Sequence, residues 1–115
     1  MGFPNMSSES DVIEIVAGRI AADGSITAGK GFTCALANTN EYTVTLNREY
    51  NGLVSAVATP LAAAGDEIVC LGAVSSFPTD APGATLQFET WDGTDGTTAS
   101  ASEFCFVAIL LRGDA

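Results

Sequence analysis

Carboxylates on a glycine-rich loop, three scattered thiols and a few aromatic rings are the side chains of this sequence whose types could do chemistry. Asp92-Gly93-Thr94-Asp95-Gly96 sets two carboxylates close together among hydroxyl and backbone oxygens, the hard donors that calcium takes. The loop lacks the further carboxylates and the closing Glu of the helix-loop-helix calcium pattern, and Asp-Gly is equally a turn dipeptide. A turn is the expected reading, with no metal. Asp66-Glu67 is the other acidic pair, but adjacent residues of a strand point to opposite faces and do not cooperate. The chain has no histidine, which removes the commonest general base and the commonest metal ligand together. Its serines sit in Ser/Thr-rich loops without a basic partner. Gly29-Lys30-Gly31 lacks the spaced glycines, the Lys-Ser/Thr pair and the helix of a phosphate loop, and reads as a bulge or turn. No enzymatic activity, catalytic residue or cofactor is expected.

Cys34, Cys70 and Cys105 are odd in number, widely spaced and each inside an apolar segment. That is neither a disulfide framework nor a zinc pattern, so they read as small buried thiols of a reducing compartment. Trp91, with Tyr50 and Phe77, could form a platform on which a sugar stacks. Aromatic residues at strand ends also serve as core plugs.

Short strands must position all of these. Val12 to Ile20 is the first strand, closed by the turn Ala22-Asp23-Gly24; Ser25-Ile26 and Gly29-Lys30-Gly31 lead into Phe32 to Leu36. Asn38-Thr39-Asn40 turns into Glu41 to Leu46, where Tyr42, Val44 and Leu46 should face in and Glu41, Thr43 and Thr45 out. Leu53 to Ala58 should stop at Thr59-Pro60, because proline removes a ladder donor. Leu61 to Ala64 has room for a helical turn. Glu67 to Val74, Ala84 to Trp91 and Phe104 to Leu111 follow, separated by loops at 75–83 and 92–98. Seven to eight short strands at about ten-residue spacing predict one all-β antiparallel sandwich, jelly-roll-like, over 12–115, with residues 1–11 as an N-terminal arm.

The last of these strands departs from alternation. Phe104-Cys105-Phe106-Val107-Ala108-Ile109-Leu110-Leu111 never offers a polar face, although a half-buried strand should alternate. Eight residues are too few for a membrane span, which needs about 20 as a helix. One small domain has one core, so the second apolar face should meet another copy of the chain. Phe104, Phe106, Ile109 and Leu111 are the candidate subunit-interface residues, without a choice of face. Val12, Ile13 and Ile15 are candidates for a contact between subunits or with a larger assembly.

The chain has 115 residues, 47% of them hydrophobic, and a formal charge of −10 with four basic residues, Arg19, Lys30, Arg48 and Arg112. That excludes general disorder and disfavours nucleic acid and anionic membrane, both of which need a basic footprint. Met1 to Ser10 has neither the basic start nor the apolar stretch of a signal peptide, so synthesis in the cytoplasm is expected.

Gly18-Arg19-Ile20 through Asp23-Gly24-Ser25-Ile26, then Gly31-Phe32-Thr33-Cys34, Glu41 to Leu46, Val57-Ala58-Thr59-Pro60 and the closing Glu103 to Ala108 resemble a β-sandwich module of bacteriophage virions. The likeness spans about residues 17–111. Such modules are head decoration or head-fibre proteins and tail-fibre tips, usually trimeric, and look like the globular heads of complement and tumour-necrosis-factor type proteins. The resemblance implies a homotrimer on the virion, with the major capsid protein as partner, or a fibre tip that binds a receptor or host-surface glycan. With only about ten residues ahead of the first strand and no shaft, decoration of the outer capsid is the expected role, with the arm as a clasp.

Overall fold

The computed structural model describes residues 11–62, 67–74, 77 and 83–113. Eight strands form: β1 (Asp11–Ile20), β2 (Ile26–Gly29), β3 (Phe32–Ala37), β4 (Glu41–Leu46), β5 (Gly52–Leu61), β6 (Ile68–Ala73), β7 (Thr85–Asp92) and β8 (Glu103–Gly113). They make two four-stranded antiparallel sheets, ordered β2-β1-β8-β5 and β3-β4-β7-β6, packed face to face as a β-sandwich. The first and last strands lie side by side, in register from Asp11 opposite Gly113 to Ile20 opposite Phe104.

The inner faces carry the core. Tyr42, Val44 and Leu46 of β4 point inward and are buried, as their alternation predicts. Leu86 and Phe88 of β7 join them from the same sheet, and Val16, Ile20, Phe104, Phe106, Ala108 and Leu110 arrive from the other. Aromatic rings knit the layers: Phe104 meets Tyr42 at 4.9 Å between centroids, and Phe106 meets Phe32 at 5.0 Å, both near edge-to-face. That geometry sets the positive edge of one ring against the negative face of the other. Gly18 makes room for the second pair. A methyl group there would collide with the Phe32 ring and stand 3.0 Å from Phe106 Cε1.

The polar side chains of Asn40, Tyr42 and Thr90 find partners within the sandwich. Asn40 Nδ2 donates to the Thr90 carbonyl at 2.9 Å, Thr90 Oγ1 to the Ser100 carbonyl at 2.6 Å, and Tyr42 Oη to the Ala22 carbonyl at 2.8 Å. Each bond ties a strand end to a neighbouring turn and avoids the cost of an unpaired buried dipole.

Strand limits follow the sequence closely, with three corrections. Asp11, assigned to the arm, opens β1 because Gly113 offers it a partner across the ladder. β5 does not stop before Pro60 but runs on to Leu61, with Pro60 opposite Phe104. It is an edge strand, hydrogen-bonded to β8 alone, where a missing N–H is tolerated. Leu61, expected to begin a helical turn, ends that strand; Ala63 and Ala64, the rest of the arm, and most of the 75–83 loop lie outside the described residues. Gly29-Lys30-Gly31 is the corner where the chain leaves one sheet for the other. Gly29 and Gly31 take φ of 100° and 94°, values that favour glycine.

Candidate functional site

The outer faces of the two sheets differ in kind, and the candidate site is the outer face of the β8 sheet. Three-strand rows cross it. Ile13 lies beside Leu111 and Gly52, Ile15 beside Ile109 and Ser55, Ala17 beside Val107 and Val57, and Arg19 beside Cys105 and Thr59. Directly opposed residues share a face, so each row is a true neighbourhood. Ile15 is 63% exposed, Val57 61%, Ile13 46% and Val107 39%. The rows span about 20 Å along the strands and about 14 Å across them, roughly 300 Å² in plan. Apolar patches of about that size are the largest on many monomers and are often functional.

One corner of the face carries charge, and it is paired. Arg19 Nε donates to Glu103 Oε2 at 2.9 Å and its Nη2 to Oε1 at 3.1 Å, a two-pronged ion pair. The hydrogen bond from Arg19 holds the Glu103 carboxyl below its ordinary range. The other three rows bear no charge, and Asp11, opposite Gly113, lies one row beyond them.

β8 is therefore apolar on both sides, and the two sides have different fates. Phe104 and Phe106, expected at a subunit interface, are 0% and 2% exposed within the chain's own core. They are corrected to core residues, because their rings are already packed on Tyr42, Phe32 and Phe88. Ile109 and Leu111 lie on the outward side with Val107 and Cys105. Ile13 and Ile15 share that face from β1. Val12 has the opposite parity, opposite Arg112 at the end of the sandwich. Val57, the second most exposed of the large apolar residues, was not singled out from the sequence. Its signal was its place in Leu53 to Ala58, a second segment without strict alternation.

The aromatic platform is not assembled. Tyr50 is 2% exposed and hydrogen-bonds the Glu14 carboxylate; burial first, then that bond, pushes its hydroxyl up to about 12. Its neighbour Asn51 donates to the carbonyl of Leu111, at the end of β8. Trp91 lies at the other end, half-buried beside Val69 and bridged to Ala99. Asp92, next to it, lines an open cleft with Ser102 and Glu103, where β8 begins. Eight strand residues, about 26 Å, separate the two ends. Phe77 is half-buried against the core.

The Asp92–Thr98 loop spends its carboxylates on itself. Asp92 Oδ1 accepts from the Thr94 N–H at 2.8 Å; Asp95 Oδ1 accepts from the Thr97 and Thr98 N–H groups, and Oδ2 from the Thr98 hydroxyl. Those bonds, the hydroxyl's first, hold the Asp95 carboxyl below its usual range. This is the side-chain geometry of a capped turn. No group of three metal-ligating side chains occurs among the described residues. Cys34, Cys70 and Cys105 are free and half-buried. Burial pushes the Cys34 thiol up and the Cys70 thiol to about 11, which lowers the thiolate fraction that nucleophilic chemistry needs.

No protein-family model matches this chain, and neither a curated protein nor a solved structure matches it.

Proposed function

We propose that this chain is a non-enzymatic structural protein that assembles with itself through the outer face of the β8 sheet. In this reading it is a homotrimer that docks on the major capsid protein and reinforces the outside of a phage head. The observation that carries self-assembly is the apolar outer face built by Ile13, Ile15, Val57, Val107, Ile109 and Leu111. The virion role rests on the resemblance of the strand phrases to phage head modules.

A second copy is the occupant that charge favours. A chain of formal charge −10 repels its own copies over most approaches, and four rows without unpaired charge let them meet. Apolar area removed from water contributes about 25 cal/mol per Å². A standard interface needs about 800 Å² from each partner, so this face supplies its apolar centre. Ser55, Thr59 and the Arg19–Glu103 pair form a polar rim on one side. Many such contacts over a shell would oppose internal pressure without chemistry.

Sedimentation equilibrium at micromolar concentration tests assembly, with three times the 11.7 kDa chain mass expected. An Ile15→Glu/Val57→Glu double variant should sediment as a folded monomer. A wild-type monomer would overturn the assembly reading. Cosedimentation with empty phage heads tests decoration separately; a trimer that never binds heads would remove the capsid role and leave the assembly. Glycan binding lost in Trp91→Ala, with no head binding, would replace decoration by the fibre-tip reading.

A further inference from the structure

The apolar rows of the β8 sheet cover roughly 300 Å² in plan, whereas a standard interface takes about 800 Å² from each partner. Self-assembly through them therefore leaves room for further contact, and the adjoining side of the sandwich offers it. There the edge strands β5 and β6 leave a cleft of about 380 Å³ lined by uncharged residues. Its inner wall is made of small residues, Ala56 and Ala58 of β5 with Cys70 and Gly72 of β6. A Cβ on Gly72 would stand 3.4 Å from Phe88 Cε1, so that ring is the floor. Val57 reaches the rim, and the cleft thus adjoins the apolar face along β5.

β6 also has a free edge. The Thr90 N–H donates to the Asn40 carbonyl at 3.1 Å, on the β4 side of β7. Backbone groups alternate sides along a strand, so Gln87, Glu89 and Trp91 turn theirs to β6 and bond Ala73, Leu71 and Val69. The Gly93 N–H, which donates to the Glu67 carbonyl at 2.6 Å, keeps the same phase. Ile68, Cys70 and Gly72 are left with N–H and C=O groups directed away from the sheet. β6 carries neither charge nor proline, the usual protections of an edge. Val69 and Leu71, on its outer side, are 40% and 55% exposed.

We propose that this edge and cleft receive the N-terminal arm of a second copy, residues 1–10, as an added antiparallel strand with Phe3 in the cleft. Met1 to Ser8 has no charged side chain, and its large apolar side chains are Met1, Phe3 and Met6. In an antiparallel ladder, directly opposed residues share a face and turn their backbone groups the same way, both toward or both away from each other. Phe3 opposite Cys70 or Gly72 therefore bonds β6, and Pro4, which has no N–H, points to solvent, where none is needed. Met6 falls on the outer side with Val69 and Leu71. A parallel strand would reverse that phase and set Pro4 against β6. Direction also identifies the donor. Ile68 lies with Leu61 and Glu103 at the end where β8 begins, and β1 starts at the other end, opposite Gly113. An antiparallel arm leaves β6 at the Ile68 end, so it comes from the β1 of another chain. Ten residues reach up to about 33 Å, well beyond the ~10 Å between packed sheets. The proposal rests on the self-assembly reading, because docking on the β8-sheet face is what brings a second arm to this side.

The test is amide hydrogen exchange of the full chain, read at Cys70 and Gly72 by two-dimensional NMR alongside sedimentation. Both amides should be protected in the wild-type assembly. Deleting residues 2–10, or Phe3→Ala alone, should speed their exchange on the order of tenfold or more and leave Val44 in the core unaffected. If the shortened chain fails to fold, Phe3→Ala carries the comparison. Isotope-labelled shortened chains, assembled with unlabelled full-length ones, should regain protection because a neighbour supplies the arm. In an Ile15→Glu/Ile109→Glu monomer, altered away from the cleft, both amides should exchange fast although the arm is present. Protection kept in that monomer would show docking within one chain and overturn the donor assignment. Equal exchange with and without the arm, in chains that still assemble, would overturn the proposal and leave self-assembly standing. A wild-type monomer in sedimentation would instead remove the self-assembly reading, and arm exchange with it.

Discussion

The outer faces of the two sheets are built on the same backbone lattice and present opposite chemistry. On the β4 sheet, Thr33 lies beside Thr45, Ala35 beside Thr43 and Gln87, and Glu41 beside Glu89. Only toward β6 does this face turn apolar, with Val69 and Leu71 exposed next to Trp91 and Glu89. On the β8 sheet, isoleucine, valine and leucine cross three strands. The inner faces are alike; the outer ones separate a largely polar surface from an apolar one. In a sandwich, alternation along a strand reports what its outer face meets. β4 alternates and β8 does not.

The largest expected effect sets adjacent residues of β8 against each other. Leu110 is fully buried, so Leu110→Ala should lower unfolding free energy by about 2–5 kcal/mol in urea titration. Ile109→Ser, one residue earlier on the outward side, should cost at most about 1 kcal/mol in the monomer yet reduce the sedimenting mass. Equal effects of both on stability and mass would erase the distinction between the faces. A charge scan sharpens it. Val107→Glu on the β8 sheet should abolish assembly, while Thr43→Glu on the β4 sheet should leave the mass unchanged.

A smaller effect concerns the polar face itself. Glu41 and Glu89 stand directly opposite, and like charges in that relation destabilise. Glu89→Gln should raise stability by about 0.2–1 kcal/mol, measured as a shift in the urea midpoint. Glu41 accepts a hydrogen bond from Asn38 Nδ2 at 2.7 Å, so Glu89 is the better residue to change.

The smallest is a pH effect at the charged corner of the apolar face. The Arg19 hydrogen bond depresses the Glu103 carboxyl below its ordinary 4.5. A depressed carboxylate adds stability that is complete above the unfolded value and is lost as pH falls through the folded one. Glu103→Gln should therefore flatten the acid side of the melting-temperature profile below about pH 4.5 and leave the neutral region nearly unchanged. An unaltered acid slope would show that the exposed pair contributes nothing.

Much of the fold was legible. The strands of the β4 sheet were readable because Tyr42, Val44 and Leu46 alternate with polar residues, and turn dipeptides bracket them. The end of β5 was misread because proline opposes a ladder only where a donor is needed; edge position is a property of the sheet, not of the segment. The aromatic platform failed for a similar reason. Tyr50, Phe77 and Trp91 are close in type but depend on chain paths that place Tyr50 and Trp91 at opposite ends. The cluster on Glu14 was invisible because Arg48, Tyr50 and Arg112 are distant from it in sequence and reach it only in the folded sheets.

Period-two patterning by itself determined that this chain makes short strands, that they form a sandwich, and that β8 carries apolar residues on both sides. It could not say which side faces inward, since both parities of β8 are apolar and satisfy burial equally. The tertiary structure decided that through register. Pairing with β1 and β5 places Phe104, Phe106, Ala108 and Leu110 over the other sheet, where the rings of Tyr42, Phe32 and Phe88 fill the space between layers. Aromatic volume chooses the interior because close packing across two sheets needs it, and Val107, Ile109 and Leu111 are left to face outward.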